Sequence, residues 1–121
     1  LSKRVCRPEE QAALTALPEA AQPLAFTALF AAKESIYKAV NPLTGIYLGF
    51  QDATVIFGPD GDWSGNGGTF SWMLHKESGP GFPPGTSGQG AWRGEGEWVV
   101  AGVWIAASAS RIAVMSRCLR S

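Results

Sequence analysis

The chain has 121 residues, 45% hydrophobic and 17% charged, which is enough for one domain with a modest core. Ten basic and ten acidic side chains balance to a formal charge of zero, which argues against a nucleic-acid binder. No apolar run reaches the ~18 residues of a membrane span, and the two distant cysteines, Cys6 and Cys118, make neither a disulfide framework nor a metal motif, so reduced thiols in a cytoplasm are expected.

Pro8 followed by Glu9 and Glu10 opens a helix, with a proline in the first turn and acids at the positive end of the macrodipole. Pro18 and Pro23 bracket a loop. Apolar residues from Leu24 to Val40 recur at spacings of three and four and predict a second helix, closed by Asn41-Pro42 and a Thr44-Gly45 turn. Beyond Gly45 the texture becomes β-branched and aromatic. "IYLGFQDATVIF" and "TFSWMLHK" read as strands joined through turn residues, and "ESGPGFPPGTSGQG" reads as a long loop. "EWVVAGVWIAAS" is the strongest strand, and its unbroken apolar run predicts burial on both faces. The tail "SASRIAVMSRCLRS" shows no clear period and reads as a terminal helix or as a readthrough or frameshift tail. Helices followed by antiparallel strands predict an α+β domain, two helices packed on a small antiparallel sheet.

The chemistry concentrates in "FAAKESIYK", residues 30–38. On a helix, Glu34 and Lys38 share a face at i, i+4, and Lys33 is offset by about 100°. Spacing alone fits a solvated surface ion pair worth about 0.3–0.5 kcal/mol. The sharper alternative is a carboxylate for Mg²⁺ with lysines as point charges for phosphates. Glu34 alone would not complete such a site. Elsewhere the signals are weak. His75 reads as a solvated strand residue, and Asp60 and Asp62 flank glycines as turn residues. Ser64, Ser71 and Ser78 lack a nucleophile-elbow context, and no glycine-rich dinucleotide motif occurs. The tryptophans read as core and sheet residues, with Trp92, near the glycine-rich loop, expected at the surface.

The stretch "ALFAAKESIYKAVNPLTG", Ala28–Gly45, resembles the signature of 4′-phosphopantetheinyl transferases of the enterobactin-synthase type. "CRPEEQAALTALPEA" resembles the helix ahead of that signature, and "GTFSWML" and "GAWRGEGEWVVAGVWIA" resemble the family's later strands. The resemblance covers roughly residues 5–107, leaving 108–121 as a tail of uncertain status. It implies transfer of the phosphopantetheine arm of coenzyme A to a serine of an acyl or peptidyl carrier protein, with Mg²⁺, in siderophore or polyketide biosynthesis. The carrier serine would attack the β-phosphate and 3′,5′-ADP would leave. By the same resemblance Glu34 is the metal ligand and helps deprotonate the serine, Lys38 contacts the coenzyme A phosphates, and Lys33 is a second basic position on that cofactor. Ala31 stands where the family carries a serine-like residue.

Larger members of the family are pseudo-dimers of two α+β halves with the site in the cleft between them. This chain resembles the second half. The aspartate segment with the other metal carboxylates is then expected upstream of Leu1, and activity is expected to need that missing N-terminal half, with self-association or a second chain completing the site. The alternative is a fragment or decayed copy that folds and binds a protein partner without turnover.

Overall fold

The computed structural model describes residues 2–107 and 110–120. One helical turn, α1 (Ser2–Val5), precedes α2 (Pro8–Thr15) and the long α3 (Gln22–Thr44). A 3₁₀ turn, Phe50–Asp52, then leads into five strands: β1 (Ala53–Phe57), β2 (Gly68–Leu74), β3 (Ser87–Glu95), β4 (Trp98–Ala107) and β5 (Ser110–Leu119). Each strand pairs antiparallel with the next, so the sheet order is the chain order. The predicted α+β architecture is what forms. Among the described residues no helix is long and apolar enough to cross a membrane.

α3 lies across β4 and β5 and supplies the second layer. Its sheet-facing side is built from small residues: Ala25, Ala28, Ala31, Ala32 and Ser35 have essentially no exposure. Small side chains let the helix axis approach the sheet closely. Ser35 Oγ consequently lies 2.9 Å from the carbonyl oxygen of Ala101 in β4, as well as 3.0 Å from that of Ala31. Leu29, Ile36 and Val40 fill the remaining gaps, each burial contributing about 1.5–3 kcal/mol.

On the sheet side, strand alternation divides the residues into two faces. Val55 pairs with Trp72, Phe70 with Gly90, and Trp92 with Ala101, all on the face toward the helices. Gly88 and Gly90 sit beneath aromatic rings. A Cβ at Gly88 would lie 2.6 Å from the Trp72 ring, and one at Gly90 would meet the Phe70 ring and come within 2.6 Å of the Gly102 carbonyl oxygen. These glycines make room for large side chains on the neighbouring strand, and for this reason the glycine-rich segment predicted as loop becomes β3 from Ser87 onward.

Several other expectations change. α3 runs one turn past Asn41-Pro42 and stops at Gly45, whose φ of 72° ends it and whose amide bonds the Asn41 carbonyl. A proline removes one donor from a final turn without ending it there. Only the end of "IYLGFQDATVIF" is strand, because Phe50–Asp52 forms a 3₁₀ turn. β4 is fully buried on one face, where Val99, Ala101 and Val103 point inward, and partly on the other, where Val100 is buried but Trp104 is 38% exposed. Trp92 is buried, stacked on Trp63 with ring centroids 4.6 Å apart. The tail is not the terminal helix that was one expectation. It forms β5, in register with β4 from Trp98↔Leu119 to Ala107↔Ser110, while residues 108, 109 and 121 lie outside the described residues. Asp60 and Asp62 act as turn residues, accepting hydrogen bonds from Thr69 and from Ser64 and Asn66.

α2 is tied to β1 by its acids. Glu9 accepts from Arg7 Nε at 3.0 Å and from Thr54 Oγ1 at 3.1 Å, and Thr54 also bonds His75 Nε2. The Glu9 carboxyl, held foremost by its own backbone amide and then by Arg7, is lowered to about 2. Its folded value lies below the unfolded glutamate value of about 4.3, so its stabilisation is present above about pH 4.3 and is lost as pH falls through about 2. NMR titration of the side-chain carboxyl is expected to place Glu9 near that low value, and Arg7→Ala is expected to move it upward; a midpoint near 4.3 in the native chain would contradict the geometry. Gly90→Ala, with a fixed backbone oxygen opposing the new methyl, is expected to cost about 1–3 kcal/mol in urea unfolding.

Candidate functional site

The Glu34 face of α3 borders a cleft of about 250 Å³. Lys33, Glu34, Ile36 and Tyr37 form its floor, and the segment Tyr47–Phe50 with Ala53 forms its wall. Aromatic contacts bridge floor and wall on both sides of Glu34. Phe30 packs on Phe50 with centroids 5.3 Å apart, and Tyr37 packs edge-on against Tyr47 at 5.8 Å. The wall segment is fixed by Asp52, whose carboxylate accepts the Gly49 amide at 2.8 Å, and by Lys76, which donates to the Tyr47 carbonyl at 3.0 Å.

The three predicted charges are treated differently by the fold. Glu34 is half-buried and lines the cleft. Lys38, one turn on, is exposed and lies outside the lining. Among the described residues the ion pairs are Arg7–Glu9, Lys33–Glu10, Lys76–Asp52 and Arg93–Glu95, so the Glu34–Lys38 pair that helical spacing permits is not formed. Lys33 is 4% exposed and points away from solvent. Its Nζ donates to Glu10 Oε1 at 2.6 Å, to the Val5 carbonyl at 2.7 Å and to the Phe50 carbonyl at 2.6 Å. Burial pushes its ammonium below the usual lysine range, and the Glu10 carboxylate opposes that shift. With three donors given to three internal acceptors, it has none left for a phosphate oxygen in this arrangement.

Three residues outside the lining bear on the cleft in ways that sequence reasoning did not assign. Glu10 was legible as a helix-opening acid, not as the partner of Lys33. Lys76 sits 44% exposed at the wall, but it comes from a distant strand end, and no local pattern marks it. Cys118 lies in the tail. Its thiol is pushed up by burial first and then by the Glu34 charge, with Lys38 partly offsetting, so β5 lies within electrostatic reach of both site residues.

The donor set fits one ligand of a hard cation. A carboxylate oxygen suits Mg²⁺, which takes one or two carboxylates and leaves positions for substrate phosphates and water. Among the described residues there is no group of three metal-ligating side chains, so Glu34 does not sit in such a cluster. A larger hollow, about 390 Å³, lies between α2 and β1. Leu14, Leu17, Leu29, Ile56, Phe57 and Trp63 line it, and its acids Glu9 and Glu10 are already bonded to Arg7, Thr54 and Lys33. It offers no cation for a phosphate.

The family model of the 4′-phosphopantetheinyl transferase superfamily matches residues 1–100. No curated protein matches significantly, and no solved structure does. The match contains α1–α3, β1–β3 and the start of β4, and with them the Glu34 cleft, Lys38 and Lys33. On a match covering most of its length, with an α+β fold that agrees, the chain belongs to the 4′-phosphopantetheinyl transferase superfamily.

Proposed function

We propose that this chain is the C-terminal half of an enterobactin-synthase-type transferase that loads the phosphopantetheine arm of coenzyme A onto a serine of an acyl or peptidyl carrier protein. The observation that carries the reading is Glu34, an unpaired, half-buried carboxylate in a cleft between two aromatic contacts, within the residues the family model matches. When bound, Mg²⁺ would supply neutralisation of the pyrophosphate charge.

The chain's own residues divide the remaining work. Glu34 holds one metal position, and its second oxygen is a candidate acceptor for the carrier serine proton. Lys38, exposed beside it, steadies phosphate oxygens as a point charge. Lys76, bonded to the wall at the Tyr47 carbonyl, is a second surface cation near it. Lys33, a coenzyme A contact by resemblance, acts here from the cleft floor with its ammonium bonded inward. Tyr37 and Tyr47 narrow the opening and limit water. A single carboxylate leaves the site short of protein ligands, so we assign the remaining ligands to a second half, in a longer chain or a partner molecule. The alternative is a non-catalytic module that binds a carrier protein or partner half, and it is favoured by the same observation, the lack of a three-ligand group among the described residues.

Intact-mass spectrometry of an apo carrier protein, incubated with coenzyme A, Mg²⁺ and this chain, separates the two. A mass gain of one phosphopantetheine is expected once a half bearing the missing carboxylates is supplied in trans. No gain under any pairing, with a full-length transferase working as control, would support the module. In the active pairing Glu34→Ala is expected to abolish metal-dependent transfer with the fold intact. Lys38→Ala is expected to raise KM for coenzyme A about tenfold or more, as the loss of a charged hydrogen bond worth about 1.5–3 kcal/mol. Transfer unchanged in Glu34→Ala would overturn the site assignment.

A further inference from the structure

Glu10 and Lys33 have side chains only 2% exposed, yet both carry formal charge. Their hydrogen bonds join segments far apart in sequence. Lys33 on α3 reaches Val5 at the end of α1, Glu10 on α2, and Phe50 on the cleft wall. Glu10 accepts from the Arg7 amide on Oε1 and from the Val55 amide of β1 on Oε2, both at 2.7 Å. Every donor of the ammonium is used, and both carboxylate oxygens are used.

Two of these attachments bear on the cleft. Lys33 immediately precedes Glu34, and the Phe50 carbonyl it grips belongs to the opposite wall. Phe30, Glu34 and Tyr37 fall at i, i+4 and i+7 on α3, and the rings at either end touch Phe50 and Tyr47. The separation of floor and wall therefore depends on how Lys33 holds Phe50. A buried ion pair is a poor source of net stability, because desolvation offsets the attraction, and apolar residues of similar volume often serve the fold as well. What such residues cannot do is accept and donate along these directions.

We infer that Glu10 and Lys33 are positioning residues of the transferase site, tying the Glu34 turn of α3 to the 48–50 wall and so setting the width of the cleft. The inference rests on the reading of Glu34 as the site carboxylate. Lys33 acts from the cleft floor with its ammonium turned inward and touches no substrate, and Glu10 fixes it there.

The test uses the full chain as wild type, Glu10→Gln, Lys33→Met and the paired Glu10→Met/Lys33→Met. Thermal unfolding reads the fold. NMR cross-peaks between the Phe30 and Phe50 rings, and between Tyr37 and Tyr47, read the cleft without any need for turnover. The single variants are expected to melt lower, because each leaves a buried group without its partner. The paired variant is expected to recover most of the melting temperature while losing both ring contacts. In the pairing that modifies a carrier protein, its kcat is expected to fall about 100-fold, the scale of a misplacement of about 1 Å, with KM for coenzyme A little changed. Glu10→Gln, the mildest change, is expected to lower kcat in the same direction. Ring contacts and kcat preserved in the paired variant would overturn the inference. So would a raised KM with unchanged kcat in Lys33→Met while Glu10→Gln leaves both alone, which would make Lys33 a phosphate ligand. If Glu34→Ala proved harmless, the reading of Glu34 would fail, and the ring contacts would still decide whether this pair sets the cleft.

Discussion

A lysine ammonium buried among three oxygen acceptors is the constraint around which the helical layer is arranged. Lys33 cannot be left in an apolar interior without partners, since a bare buried charge is far too costly. Its partners are therefore obligatory, and each comes from a different part of the chain: Val5, Glu10 and Phe50. Satisfying one side chain fixes the entry of α2, the pitch of α3 and the path of the connection into β1. Glu10 multiplies the effect, because its carboxylate also stops the α2 amino end at Arg7 and meets β1 at Val55. The alternation of charge along residues 33–38 follows. Lys33 serves the interior, and Glu34, one residue on and about 100° around the helix, is turned to the cleft.

The sheet meets its own constraint by pairing large with absent. Phe70 and Trp72 occupy the space that side chains at Gly90 and Gly88 would take. Phe57, Trp63 and Trp92 then cluster beyond them, with Phe57 edge-on to both tryptophans. α3, with its alanine face, lies over β4 and β5. The cleft opens at the flank of α3, where Tyr47–Phe50 stands off from the helix on aromatic contacts.

The fold was legible where periodicity speaks directly. Leu24, Leu29, Ile36 and Val40 announce the long helix, and the alternating residues of β2 and the apolar run of β4 announce strands. Glu34 was legible because a carboxylate in a long, specific signature stands out. What stayed hidden depends on partners distant in sequence. Gly88 and Gly90 look like loop until the Trp72 and Phe70 rings above them are known. Trp92 looks exposed because its neighbours are loop-like, but its inward register on β3 stacks it on Trp63. Lys33 looks like a companion of Glu34, and only the 23-residue gap to Glu10 being closed in space gives it a different task. The tail had no period because a strand with one mixed face, pairing with a single neighbour, leaves a weak signature.

β5 also has a consequence for how the chain reaches this state. Without it, β4 would end the sheet, and the run Val99–Trp104 would present unpaired amides and carbonyls beside apolar side chains, a template for intermolecular pairing. The β4–β5 connection is short, so the pairing that covers this run is local and low in loop-closure entropy. The border that β5 then offers carries Arg117, stacked over Trp98, followed by Arg120, whose amide bonds the Glu97 carbonyl. Like charges of this kind repel a second copy in register. The segment with the least readable pattern thus acts as a gatekeeper, converting the stickiest strand of a newly made chain into an interior one.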